Sequence, residues 1–124
     1  MKFSRAVIIA VLLGFVARSV AVAKDIDPYT ETPLIRNVEP ASGKPDTVHT
    51  AVGEYLGRSY VKELYLTNGK EDITVKIIRQ SDVMIEFRVP ADVKLGRYRL
   101  LILTGSTIPM LLEQPVHLDV LAQQ

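Results

Sequence analysis

Short apolar runs separated by turn residues dominate the chain, and the clearest of them alternate. Val83, Ile85, Phe87 and Val89 interleave with Met84, Glu86 and Arg88, a period of two that makes one face apolar and the other mostly wet, as in a half-buried strand. Pro90 ends that strand. After "ADVKLG", Tyr98, Leu100 and Ile102 face one way and Arg97, Arg99, Leu101 and Leu103 the other. "GSTIP" reads as a turn, and Val116, Leu118 and Val120 alternate with His117 and Asp119 in a last strand.

The first half of the chain follows the same grammar. "PLIRNVEP" lies between Pro33 and Pro40, which suits an edge strand, and "ASGKPD" is a turn. In the next strand, Thr47 to Gly53, the residues Val48, Thr50 and Val52 form the more apolar face, with His49 and Ala51 on the other. "GEYLGRSY" makes a loop with Leu56 as its inward anchor. In "VKELYLT" Leu64 and Leu66 share a face, and Asn68-Gly69 supplies a strong short-turn signal. "ITVKII" is rich in β-branched residues and "RQSD" turns the chain again.

This pattern predicts about seven short strands at spacings of roughly 8 to 12 residues, the expectation for an antiparallel β-sandwich. No stretch has the i, i+3, i+4, i+7 apolar spacing of an amphipathic helix. A parallel α/β fold, which needs helical crossovers, is therefore excluded.

The N-terminus carries a different signal. Lys2 and Arg5 precede an apolar run from Ala6 to Val16, and Ala21-Val22-Ala23 offers a small-x-small cleavage site. That is the layout of a secretory signal peptide over residues 1–23, and the run is short of the roughly 20 apolar residues that cross a bilayer. Membrane contact is then expected only during export, and the mature product is expected to be secreted or periplasmic. Residues 24–32 are polar and read as a flexible lead-in, with one sandwich domain over 33–121.

Cleavage changes the charge. It removes three of the 15 basic residues and none of the 14 acidic ones, leaving 12 against 14 and a net charge near −2 in place of +1. Nucleic-acid binding shows as a basic domain or stripe, whereas here the arginines are interleaved with acids. A mature chain of 101 residues is one domain in size. With no cysteine in the sequence, the domain has no disulfide, thiolate nucleophile or thiolate metal site, and apolar packing must hold it.

The order of "PLIRNVEPASG", "VGEYLG", "VKELYL", "SDVMIEFRVP", "LGRYRLLIL" and "PVHLDV" resembles the IPT/TIG domain, an immunoglobulin-like fold found in many exported bacterial proteins. The resemblance covers roughly Pro33 to Val120. It implies an immunoglobulin-like antiparallel sandwich in which Gly53 and Leu56 form a turn, Pro90 closes the fifth strand, and Gly96 with Tyr98 opens the sixth. It also turns His49 and Ala51 inward, against the alternation. Asp46 and Thr47 stand where the family often has a glycine. The family has no common catalytic residues, and its members bind, link or dimerise.

The residues themselves offer little chemistry. The two histidines, His49 and His117, are 68 positions apart with no carboxylate at ligand spacing, so no metal, cofactor or catalytic site is expected. Serines are present, but no G-x-S-x-G elbow occurs. The one functional hint is the second set of apolar residues in the penultimate strand. If Tyr98, Leu100 and Ile102 fill the core, Leu101 and Leu103 point outward beside Arg97 and Arg99, where a wet face should be polar. Either the connection after Ile108 covers them, or they form a face for a protein partner or for self-association. The expected function is a non-catalytic binding or structural module. The alternative is carbohydrate binding, for which five tyrosines and no tryptophan are available.

Overall fold

Directly opposed residues of paired strands share a face, so pairing register decides which side of each strand meets the interior. The structure, a computed structural model, describes residues 31–122. The expected signal peptide and most of the lead-in lie outside the described residues. The strands are β1 (Leu34–Glu39), β2 (Ser42–Gly43), β3 (Val48–Glu54), β4 (Val61–Thr67), β5 (Asp72–Thr74), β6 (Lys76–Ser81), β7 (Met84–Arg88), β8 (Gly96–Thr104) and β9 (Leu111–Val120).

They form a four-stranded sheet in the order β1-β3-β7-β6 and a five-stranded sheet in the order β2-β9-β8-β4-β5. Every pair is antiparallel except β2 with β9, which is parallel. The two sheets make an all-β, immunoglobulin-like sandwich, with Ile35, Val38, Ala51, Ile85 and Phe87 from one meeting Leu64, Leu66, Leu100, Ile102 and Leu118 from the other. Tyr98 joins this core and donates its hydroxyl to the Lys94 carbonyl at 2.8 Å, fixing the connection before β8.

Several expectations are corrected. His49 and Ala51 face inward, as the resemblance implies and the alternation does not: their register partners in β7 are Phe87 and Ile85, both core residues. "ITVKII" is two strands rather than one. Val75, buried and bonded through its N–H to the Leu64 carbonyl at 3.1 Å, separates β5, which stays on β4, from β6, which crosses to β7. The "ASGKPD" turn contains β2, bonded to β9 through the Ala41 and Gly43 carbonyls. Val83 does not share the core face of Ile85 and Phe87. It sits exposed in the turn between β6 and β7.

The last strand starts at Leu111, five residues before the apolar alternation begins at Val116. Its register against β8 shifts between Arg99 and Leu101, and Pro115 lies in that irregularity, where a missing N–H costs no ladder bond. Gln114, almost fully buried beside it, accepts the Ile35 N–H at 2.7 Å and donates to the Leu112 carbonyl at 3.2 Å. That side chain links β9 of one sheet to β1 of the other. Gln80 makes a second polar link by donating to the carbonyls of Leu56 and Val61.

Candidate functional site

The outer face of β8 carries Arg97, Arg99, Leu101 and Leu103 in line, as expected from their spacing. Arg97 donates from Nε to Asp119 at 2.9 Å, and Arg99 pairs with Glu113 at 3.2 Å. The hydrogen bond from Arg97 is the main cause that holds the Asp119 carboxyl below the usual carboxylate range, and the same bond raises the guanidinium of Arg97. Leu101 is only 9% exposed, and its cross-strand partners are Tyr65 of β4 and Glu113 of β9. The Tyr65 phenol is raised by burial and then by its bond to Glu63.

Residues 111–115 belong to β9 and run beside β8 in the same sheet. They do not fold over the outer face. Leu101 is thus enclosed between flanking strands, and the outward apolar surface shifts to the end of the sheet, where half-buried Leu103 opposes exposed Leu111.

That end of the sandwich gathers three connections. The loop from Tyr55 to Tyr60 enters with Tyr55 at φ 54°, a left-handed backbone, and drives Leu56 fully into the core. The Leu56 N–H donates to the Asp82 carbonyl at 2.9 Å, which ties the loop to the β6–β7 turn. The Gly105 N–H donates to the Tyr60 carbonyl at 3.0 Å, which ties it to the β8–β9 connection. Gly57 closes the loop internally, its carbonyl accepting the N–H groups of Tyr60 and Val61.

The product of these bonds is a pair of half-buried tyrosines. The rings of Tyr55 and Tyr60 meet edge to face, with centroids 5.2 Å apart and planes at 65°. On the neighbouring connections stand Val83, Met110 and Ile108, the last 78% exposed. The β8–β9 connection is held in shape: Thr104 Oγ1 accepts the Met110 N–H at 2.9 Å, the Thr104 N–H donates to the Met110 carbonyl, and the Ser106 hydroxyl donates to the Ile108 carbonyl. Aromatic faces offer apolar area and, in tyrosine, a hydroxyl that hydrogen-bonds. Such a surface suits binding rather than bond-making.

The "YLGRSY" spacing alone does not announce this pair, because it forms only once the loop is pinned by Asp82 and Gly105. Among the described residues no three His, Asp or Glu side chains gather as a metal set. Ser81 and Ser106 are engaged with backbone groups. His49 is buried and bonded to Thr47 and Pro40, and His117 is exposed.

No protein-family model matches the chain, and no curated protein matches it. Among solved structures the chain is similar to SGBP-B of the Bacteroides ovatus mixed-linkage glucan utilization locus, determined in complex with a mixed-linkage heptasaccharide. The TM-score is 0.52 at 19% identity, over 73% of this chain and 24% of that one. The chain therefore spans about a quarter of that protein's length, and at this identity the likeness is one of fold.

Proposed function

We propose that the chain is an exported, non-catalytic module that binds a glycan at the cell surface, with the Tyr55–Tyr60 pair as its sugar-stacking platform. The observation that carries this reading is the edge-to-face pair itself, fixed by backbone bonds at one end of a rigid sandwich. A rigid aromatic face meets the C–H face of a sugar ring with little ordering cost. The likeness to part of a protein solved with a mixed-linkage heptasaccharide supports the same reading. The signal-peptide layout supports export.

Affinity electrophoresis in gels containing soluble polysaccharides, mixed-linkage β-glucan first, tests it. Retardation of the wild type that falls by about tenfold or more in Tyr60→Ala is expected, corresponding to loss of about 1.4 kcal/mol of binding. Absence of retardation across neutral and acidic polysaccharides overturns the reading.

A second reading is favoured by the apolar rim. Ile108 and Leu111 are more than half exposed and stand at the same end, where exposed apolar side chains mark a protein contact if they are contiguous. Under that reading, crosslinking in native envelope extract yields a specific partner or a self-crosslink that Ile108→Lys abolishes. An unchanged crosslinking pattern in that variant removes it.

A further inference from the structure

The sheet of β1, β3, β7 and β6 has an outer face turned away from the core, and register sets its side chains in rows. Asn37 of β1 opposes Val52 of β3, which opposes Met84 of β7. In the next row Glu39 opposes Thr50, which opposes Glu86. Opposed residues share a face, and so do residues two apart in one strand. Asn37, Glu39, Thr50 and Val52 are therefore neighbours on one surface. Pro40 and Ala41 leave the end of β1 beside them, and these six residues line an open groove of about 800 Å³. That volume is within the roughly 300 to 1,000 Å³ of small-molecule sites.

The polar groups of the groove have bonding capacity to spare. Asn37 Nδ2 donates to Glu39 Oε2 at 3.1 Å, which holds the two side chains together and leaves the Asn37 carbonyl and the second Glu39 oxygen unused. Among the described residues no cation pairs with Glu39, and the Thr50 hydroxyl has no hydrogen-bond partner. Glu86, on the far side of Thr50, is already bonded to Arg79. In the apolar row Val52 is 42% exposed and Met84 is half-buried. A carboxylate accepts only, so a ligand must bring donors to Glu39, whereas an amide and a hydroxyl both donate and accept. The valine and the methionine call for an apolar face on the same ligand. A sugar ring combines the two, with hydroxyls around its edge and C–H groups on its faces. Glu39, with no cation beside it, repels an anionic ring.

We propose that this groove is a second glycan subsite, which takes one ring of an uncharged polysaccharide with its C–H face on Val52 and Met84 and its hydroxyls on Glu39, Asn37 and Thr50. The proposal rests on the glycan reading above but on neither residue of the tyrosine pair. β3 connects the two places. Val52 stands three residues before Tyr55, about 10 Å along an extended chain, so one linear glycan reaches both. An open groove, unlike an enclosed pocket, accepts an internal ring of such a chain.

Affinity electrophoresis tests this in gels of neutral polysaccharides (mixed-linkage β-glucan, xyloglucan, galactomannan) and acidic ones (polygalacturonate, alginate). Retardation in at least one neutral gel and in neither acidic gel is expected. In the retarding gel, Glu39→Ala and Thr50→Val are each expected to weaken binding about threefold or more, with unfolding midpoints that show folded protein. Both side chains lie outside the core, and Glu39 is exposed. Retardation that Tyr60→Ala reduces and both groove variants leave unchanged overturns the subsite and keeps the tyrosine platform. Loss in the groove variants with none in Tyr60→Ala keeps the subsite and removes the platform. Retardation in acidic gels alone also overturns the subsite, and no retardation in any gel ends both.

Discussion

Gly53 has no room for a side chain. A Cβ there would lie 1.9 Å from the Leu34 carbonyl oxygen, backbone that cannot move aside, at a place where β1 and β3 slip in register. Gly53→Ala is expected to cost about 3 kcal/mol, measured by denaturant unfolding, because overpacking against a strand displaces the strand. The sequence points to this glycine only as part of a turn. The close approach depends on which strand lies beside it. His49 teaches the same lesson from the other side. A histidine between Val48 and Thr50 reads as outward by polarity, yet its two ring nitrogens find polar partners inside the fold, and a satisfied polar group is admitted to a core. Polarity is legible from sequence, whereas the partners that cancel it are not.

At the scale of elements, β7 is legible from its unbroken alternation, and β4 and β8 from the alternating core positions Leu64 and Leu66, and Tyr98, Leu100 and Ile102, although β4 shifts register after Val61. The split between β5 and β6 is not, since β-branched residues suit either sheet and only Val75, bonded to Leu64, marks the crossing. The outer faces of β8 and β9 are laced by ion pairs, and these bring a pH dependence. Asp119 lies below the usual carboxylate range in the folded chain. Its contribution to stability is therefore present above the unfolded value and is lost as pH falls through the folded value. Arg97 is largely exposed and Asp119 is half-buried, so solvent screening keeps the effect small. Urea unfolding at neutral pH is expected to place Asp119→Asn slightly below wild type. In strong acid the two midpoints converge, and a gap that persists there contradicts the assignment.

In the whole molecule, the candidate site was legible only as ingredients. Two tyrosines in a glycine-bearing loop and an apolar run after Ile108 can be read from the chain, but it takes the carbonyls of Asp82 and Tyr60 to bring three connections to one end. The four side chains of β8 are placed in line as their spacing requires. Leu101 is closed off by its neighbours in a way that a one-strand reading does not see. One further feature acts at this scale. The short β2 pairs in parallel with the last strand, through the Ala41 and Gly43 carbonyls, while β1 begins opposite Glu54 at the other end of the sandwich. Tension applied between the two chain termini loads those β2–β9 bonds along the strand direction and all at once, rather than peeling them one at a time. The parallel β2–β9 pair thereby resists a pull along the strand direction as one unit.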